Sequence, residues 1–201
     1  MSNMQEKKKI KRDSLFNTAY ELFTTKGLQK TAISDIVEKA GVAKGTFYLY
    51  FSDKYDLRNK LISHKASDLF TSANQDLEKT TLTGVEAQLI FVTNHIIDAL
   101  AANPSLLTFI SKNLVWGIFK TALHVSDGDT GLNFYDAYLR LLQKDDYRYE
   151  KPEVMLFTII ELTGSTCYNS ILYEEPLPIE KYKPYLFRTI HSIIDSHKIN
   201  N

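Results

Sequence analysis

The chain has 201 residues, 44% of them hydrophobic and 24% charged. This composition is globular, excludes a disordered tail, and leaves room for one ordinary domain or two small ones. The single cysteine, Cys167, excludes an internal disulfide framework and a multi-cysteine zinc site. The longest apolar run, 154–160, falls short of the ~18 residues that span a bilayer, and the polar amino terminus does not look like a secretory signal. We therefore expect a cytoplasmic protein without a membrane partner.

The net charge of zero hides an uneven distribution along the chain. Residues 1–65 carry 13 Lys and Arg against 7 Asp and Glu, whereas residues 66–201 carry 11 against 17. A basic amino-terminal part on an acidic body favours contact of the first part with a polyanion. Chance segregation of surface charge is the alternative.

Apolar residues recur at helical spacing along most of the chain, and we find no clear strand pattern with Gly-rich turns. The first helix carries residues 15–23 and ends before Gly27, which suits a helix C-terminus; Thr31 and then Ser52 or Asp53 suit N-caps. The pattern predicts an all-α protein of about nine helices, the later ones near 31–40, 44–50, 52–73, 85–101, 104–124 (with a break near Gly117), 131–144, 153–173 and 179–197.

The segment 31–57 is the most informative part of the chain. Two short helices joined by a Gly-Val-Ala turn at 41–43 have the length of a helix-turn-helix, whose second helix lies in the DNA major groove. Phe47 and Phe51 are spaced to face a small core. The opposite face carries side chains that donate hydrogen bonds or present rings to thymine methyl groups, namely Lys44, Thr46, Tyr48 and Tyr50.

This segment closely resembles the DNA-binding domain of the TetR/AcrR family of bacterial transcription regulators. The detailed match covers about residues 10–62 and includes Thr-x4-Ile, the Ala-Gly-Val turn, Lys-Gly-Thr-Phe-Tyr-x-Tyr-Phe and Lys-x-x-Leu. The resemblance implies an N-terminal three-helix helix-turn-helix domain over residues 1–54. It also implies a C-terminal helical ligand-binding and dimerisation domain over 55–201, with the helix at about 52–73 linking the two.

The resemblance also implies which residues meet double-stranded operator DNA. Thr31 and Ser34 would meet a phosphate, and Lys54 would hold another phosphate at the start of the fourth helix. The residues that open the recognition helix or lie on its exposed face are Lys44, Gly45, Thr46, Tyr48 and Tyr50. The basic cluster at 7–12 precedes the first predicted helix. It is either an arm that contacts DNA or a solvated, frayed terminus.

The body of the chain supplies only candidates for an effector site. The resemblance implies that this domain binds a small molecule in a cleft between helices. We expect an apolar or aromatic molecule for this chain. The candidate lining residues are Phe91, His95, Ile96, Phe109, Asn113, Trp116, Phe119, Tyr138, Cys167 and Tyr168. Trp116 is the best single candidate, because its indole N–H needs a partner when buried. The alternative for each aromatic residue is a purely structural place in the core.

The last two predicted helices are the candidate homodimer surface. The small residues at 163–166 would let another helix approach closely. A stripe at helical spacing, Leu186, Ile190, Ile193 and Ile194, must bury against something, either a partner subunit or the rest of its own subunit.

We find no pattern of an enzyme, a metal site or a bound cofactor. The five histidines lack metal-site spacing, Asp127 and Asp129 match only a fragment of a calcium loop, and Cys167 suits packing better than redox sensing. We therefore predict a non-enzymatic, sequence-specific transcriptional repressor that a small effector releases from a palindromic operator. The alternatives are a DNA-bound architectural or protein-recruiting member without an effector, and a helical enzyme or small-molecule carrier.

Overall fold

The computed structural model describes residues 3–111, 116–124 and 133–199, and it confirms the predicted all-α fold. Ten helices lie in these ranges: α1 (Asn3–Thr25), α2 (Ile33–Lys39), α3 (Lys44–Tyr48), α4 (Lys54–Leu77), α5 (Val85–Ala102), α6 (Pro104–Ser111), α7 (Trp116–Leu123), α8 (Phe134–Gln143), α9 (Pro152–Leu172) and α10 (Ile179–Ser196). The chain divides into two compact units, unit 1 (Met1–Ser63) and unit 2 (His64–Asn201), and α4 belongs to both.

Unit 1 is built from α1, α2, α3 and the first half of α4. Gly27 and Gly41 have φ of +83° and +67°, so both turns require the left-handed conformation that glycine adopts without strain. The predicted core is confirmed, because Ile36, Phe47 and Leu57 are fully buried and Phe51 nearly so. The rings of Phe47 and Phe51 lie 5.5 Å apart, between centroids, and fix the back of α3.

The start of α4 is capped by its own carboxylates. Oδ1 of Asp53 accepts hydrogen bonds from the backbone N–H groups of Tyr55 and Asp56, at 2.7 and 2.8 Å, which makes it the N-cap expected from the sequence. Oδ2 of Asp56 accepts in turn from the backbone N–H of Ser52, at 2.9 Å. These bonds satisfy backbone N–H groups in the loop between α3 and α4 and in the first turn of α4.

Unit 2 packs α5, α6, α9 and α10 around one apolar core, to which the second half of α4 contributes Ala66, Phe70 and Ala73. The helix predicted over 104–124 is described as two, α6 and α7. The described residues also contain one antiparallel pair of two-residue strands, β1 (Arg148–Tyr149) and β2 (Lys198–Ile199), which leaves the fold all-α.

Helix α5 is long and apolar enough, at 18 residues and a mean hydropathy of 1.2, to cross a membrane by length and composition alone. In the structure its residues Leu89, Val92 and Ile97 are buried in the core of unit 2. A core helix of a globular domain has the same composition, because it also buries most of its apolar surface.

The apolar stripe of α10 does not face outward. Leu186, Ile190 and Ile194 are at most 1% exposed and belong to the core of unit 2, and Ile193 packs against the same core. The prediction that this stripe forms a subunit interface was therefore wrong, because the stripe buries against its own subunit.

Candidate nucleic-acid interface and effector cavity

The outer face of α3 is open to solvent and carries no carboxylate. Lys44, Gly45 and Tyr48 are exposed and Thr46 is half-buried, while Phe47 lies on the inner face, its ring edge-on to Tyr48 at 5.3 Å between centroids. Because no Asp or Glu occurs between residues 39 and 52, an approaching phosphate meets no like charge on this helix. The structure thus brings together four of the side chains and backbone positions predicted for DNA contact.

Two exposed residues beside α3 escaped the sequence analysis. Leu49, the C-cap of α3, is 79% exposed, and Tyr55 at the start of α4 is 43% exposed. The ring of Tyr55 lies 5.7 Å from Nζ of Lys54 and from the guanidinium carbon of Arg58. The exposure of Leu49 could have been predicted from the sequence. Leu49 stands between Tyr48 and Tyr50, at a position that the helical spacing of the core residues does not assign to the core.

Of the two residues at the start of α2 that were predicted to meet phosphate, Thr31 just before the helix and Ser34 within it, only Ser34 is exposed. Thr31 is 1% exposed, and its hydroxyl donates to the carbonyl oxygen of Gly27 at 2.9 Å. Ala32, not Thr31, is the N-cap of α2, so the capping prediction was wrong. The Thr31 hydroxyl therefore stabilises the turn between α1 and α2. This structural role conflicts with the predicted phosphate contact.

Lys54 also points into unit 1 and not toward solvent. Its amine donates to three backbone carbonyl oxygens of the α1–α2 loop, those of Leu28, Gln29 and Thr31, at 3.0, 3.3 and 3.2 Å. An ammonium group has three N–H donors, so these bonds use all of them. This geometry contradicts the predicted phosphate contact of Lys54 in the conformation described.

The basic cluster at 7–12 lies inside α1. The sequence analysis had placed it before the helix, as an arm or as a frayed end, and so predicted a helix that begins too late. Tyr50 is half-buried, and its hydroxyl donates to the carbonyl oxygen of Lys8 at 3.1 Å. Tyr50 therefore joins the end of the helix-turn-helix to the amino-terminal part of α1, instead of standing free as predicted.

Unit 2 contains an apolar cavity of about 100 Å³ between α4, α5, α6, α9 and the start of α8 at Phe134. Its lining is mainly aliphatic and includes Leu69, Phe70, Leu89, Val92, Ile96, Leu107, Ile110, Leu156, Ile159, Gly164 and Cys167. The volume approaches that of an engineered ~150 Å³ protein cavity that stays dry and binds benzene. A cavity of this kind receives a short hydrocarbon segment, and a larger ligand requires it to widen.

The residues predicted for the effector site line this cavity only in part. Ile96 and Cys167 are on its wall, but the aromatic candidates are elsewhere. Phe91 and Trp116 line two shallow surface clefts, the hydroxyl of buried Tyr138 donates to the Pro152 carbonyl, and His95 contacts Ser72 and Asp76. Phe109 is buried outside the cavity lining, and the ring of Tyr168 contacts that of Tyr173. Asn113 and the side chain of Phe119 lie outside the described residues.

Two polar groups of α9 accompany the cavity. The hydroxyl oxygen of Thr163, a lining residue, is buried and has no hydrogen-bond partner in the part of the chain that the structure describes. Burial raises the pKa of the Cys167 thiol to about 11, so this side chain is protonated and unreactive at neutral pH. The Thr163 hydroxyl is thus a polar contact that an otherwise hydrocarbon-like ligand can use.

Comparison with known proteins identifies the amino-terminal part. A family model described as bacterial regulatory proteins, tetR family, matches residues 15–61. The uncharacterized HTH-type transcriptional regulator YvdT of Bacillus subtilis (strain 168) is 51% identical over 61 residues, 30% of this chain and 29% of that protein. The fatty acid metabolism regulator protein of the same strain is 29% identical over 90 residues, 45% of this chain and 46% of that protein. The chain thus matches less than half the length of these two relatives.

The fold of the whole chain is that of known regulators. The structure of FadR from Bacillus subtilis in complex with stearoyl-CoA superimposes with a TM-score of 0.60 over 90% of this chain and 98% of that one, at 17% identity. The open face of α3, supported from behind by Phe47 and Phe51, defines a helix-turn-helix transcriptional regulator. Residues 15–61 match the TetR family, as the sequence resemblance implied, and the rest of the chain shares the fold of these regulators.

Proposed function

We propose that the chain represses transcription in the cytoplasm by placing α3 in the major groove of an operator. The observation that carries the proposal is the acid-free outer face of α3, whose exposed groups match what DNA offers. Lys44 reaches phosphate or guanine acceptors, Thr46 reaches base edges, and the apolar surfaces of Tyr48 and Leu49 suit thymine methyl groups. The buried rings of Phe47 and Phe51 keep this face rigid.

The α3 proposal is tested by duplex binding measured against salt concentration. Lys44→Ala removes a cation from the outer face, so we expect weaker binding and a salt slope smaller by about 0.9 per subunit. Lys144→Ala removes the same charge from an exposed position at the end of α8, in unit 2, and serves as the matched control. Equal binding by both variants and the wild type would count against α3 as the DNA-contacting helix.

We propose that a homodimer presents two copies of α3 to half-sites one helical turn apart, ~34–36 Å. Because the stripe of α10 is internal, the interface is assigned to the outer faces of α9 and α10. These faces carry Phe157, Ser165 and Tyr185, all exposed. Ser165→Arg places a charge in the middle of the α9 face, so we expect a monomer by sedimentation. A dimer that persists in this variant would exclude this face.

We further propose that a small apolar effector enters the cavity of unit 2 and lowers operator affinity. The aliphatic lining favours an alkyl chain over a flat aromatic molecule. The fatty acid metabolism regulator that matches part of the chain, and the structural neighbour in complex with stearoyl-CoA, support the same chemistry. Helix α4 links the two sites along the chain, since it carries Leu57 and Leu61 in unit 1 and Leu69 and Phe70 on the cavity wall.

The effector proposal is tested with a series of straight-chain fatty acids of increasing length. We expect a rise in Tm that grows with chain length and a 5–150-fold loss of operator affinity, the range of a ~1–3 kcal/mol coupling. If no chain length shifts Tm or operator affinity, the alternative of an architectural or protein-recruiting regulator without an effector is favoured.

A further inference from the structure

We propose that the amino-terminal part of α1 is a second, helical DNA-phosphate contact, formed by the side chains of Lys8, Lys11 and Arg12. This proposal rests on the DNA-binding function proposed above and adds a surface separate from α2 and α3. The three side chains are exposed, and this part of α1 extends ahead of the first buried residue, Leu15.

The direction of these side chains follows from helical spacing. Residues three, four or seven apart share a helix face, so Lys11 and Arg12 continue the face of buried Leu15 and Phe16, and Lys8 precedes Arg12 by one turn. Buried Leu15 and Phe16 face the rest of unit 1. Lys8, Lys11 and Arg12 continue this face, so they lie on the side of α1 that carries the rest of unit 1. The acidic groups of this segment, Glu6 and Asp13, fall toward the other side.

The hydrogen bond from Tyr50 fixes this segment relative to the recognition helix. The hydroxyl of Tyr50 donates to the carbonyl oxygen of Lys8 at 3.1 Å, only two residues beyond the end of α3 at Tyr48. Lys8 is thereby held beside the DNA-facing helix-turn-helix. Its charge is therefore added to the interface proposed for α3.

Apart from the guanidinium of Arg12, which lies 6.0 Å from the centroid of the Phe16 ring, the free protein gains little from this arrangement of charge. Lys8 and Arg12, like Lys7 and Lys11, are like charges at four-residue spacing, which destabilises a helix. Cations near a helix N-terminus also oppose the helix dipole. Within the described residues, the one ion pair of this cluster joins Arg12 to Asp13, at 3.5 Å and largely exposed. A polyanion such as the DNA backbone relieves this repulsion.

The test compares two double variants that each remove two cations from the same segment. Lys8→Ala/Arg12→Ala changes the proposed face, and Lys7→Ala/Lys9→Ala changes its two flanks. Alanine favours helix formation, so circular dichroism is expected to show an intact α1 in both. Binding to a labelled duplex pool is measured across salt concentrations for both variants and the wild type.

We expect Lys8→Ala/Arg12→Ala to lower the salt slope by about 1.8 per subunit and to weaken binding on the order of tenfold, alike for specific and nonspecific duplexes. The flank variant is expected to lower the slope by less than half as much. A wild-type slope in Lys8→Ala/Arg12→Ala, or equal losses in the two variants, would overturn the proposed face. Failure of the wild type itself to bind duplex DNA would instead refute the proposed function.

Discussion

The three bonds of Lys54 predict an effect on stability and not on DNA affinity. We expect Lys54→Met, which keeps the aliphatic stem, to lower the free energy of unfolding by about 1–2 kcal/mol, because the Leu28, Gln29 and Thr31 carbonyls lose a charged donor. Denaturant unfolding measures this change. The salt slope of DNA binding is expected to stay at the wild-type value.

The control for Lys54 is Lys30→Met, which removes an exposed lysine from the same loop. It is expected to leave the unfolding free energy within about 0.5 kcal/mol of wild type. If Lys54→Met instead leaves stability unchanged and lowers the salt slope by about 0.9 per subunit, the amine contacts phosphate and the structural role is refuted.

Thr163 offers a second test at a single side chain. Thr163→Val removes the buried hydroxyl that has no partner among the described residues, so we expect the unfolding free energy to rise by about 1 kcal/mol. Thr166→Val is the matched control on the same helix, because its hydroxyl donates to the Leu162 carbonyl at 2.7 Å. No gain is expected there. A loss of stability in Thr163→Val would mean that the hydroxyl is satisfied.

Helix α4 begins with a carboxylate whose effect on stability depends on pH. Burial raises the pKa of Asp56, but hydrogen bonds from the Ser52 backbone and from Lys60 outweigh it, so the pKa lies below the ordinary 3.8. A lowered pKa stabilises the folded state above the ordinary value, and this stabilisation is lost as the pH falls through the folded-state pKa.

Asp56→Asn removes this charged cap from α4. We expect a loss of about 0.5–1 kcal/mol in unfolding free energy at pH 7, and a difference from wild type that fades as the pH falls below about 4. Urea unfolding at several pH values measures it. A difference that is constant down to pH 2 would show that the charge of Asp56 is not responsible.

The helices of unit 1 could be predicted because their signals are local. The glycines at 27 and 41 stand where positive φ is needed, and Phe47 and Phe51 repeat at helical spacing within a few residues. The early start of α1 was missed, since a run of lysines carries no apolar stripe to mark a helix. The two-residue strands β1 and β2 pair across about fifty residues and are too short for any periodic pattern.

The cavity and the contacts of Lys54 could not be predicted for a different reason. Five helices from distant parts of the chain surround the cavity, and aliphatic lining residues such as Leu107 and Ile159 have the same spacing as ordinary core residues. The acceptors of Lys54 are backbone carbonyls, which no residue type marks in the sequence. Aromatic residues, chosen as pocket walls, were instead used in packing and surface clefts.

The whole molecule combines a basic unit 1, whose α3 face is free of carboxylates, with an acidic unit 2 that encloses an apolar cavity. Helix α4 contributes to the core of the first and to the cavity wall of the second. In the proposed mechanism, a ligand that widened the cavity would displace Leu69 or Phe70 and so act on the same helix that holds Leu57 and Leu61. This continuity is the physical basis proposed for coupling effector binding to DNA release.

Selection from a random duplex DNA pool at physiological salt tests the central claim most directly. The purified chain is expected to enrich an inverted repeat whose half-sites lie one helical turn apart, or a multiple of it. Thr46→Val removes a hydroxyl from the outer face of α3 and is expected to change the enriched half-site while keeping its spacing. Enrichment of no sequence by folded protein would contradict operator recognition through α3.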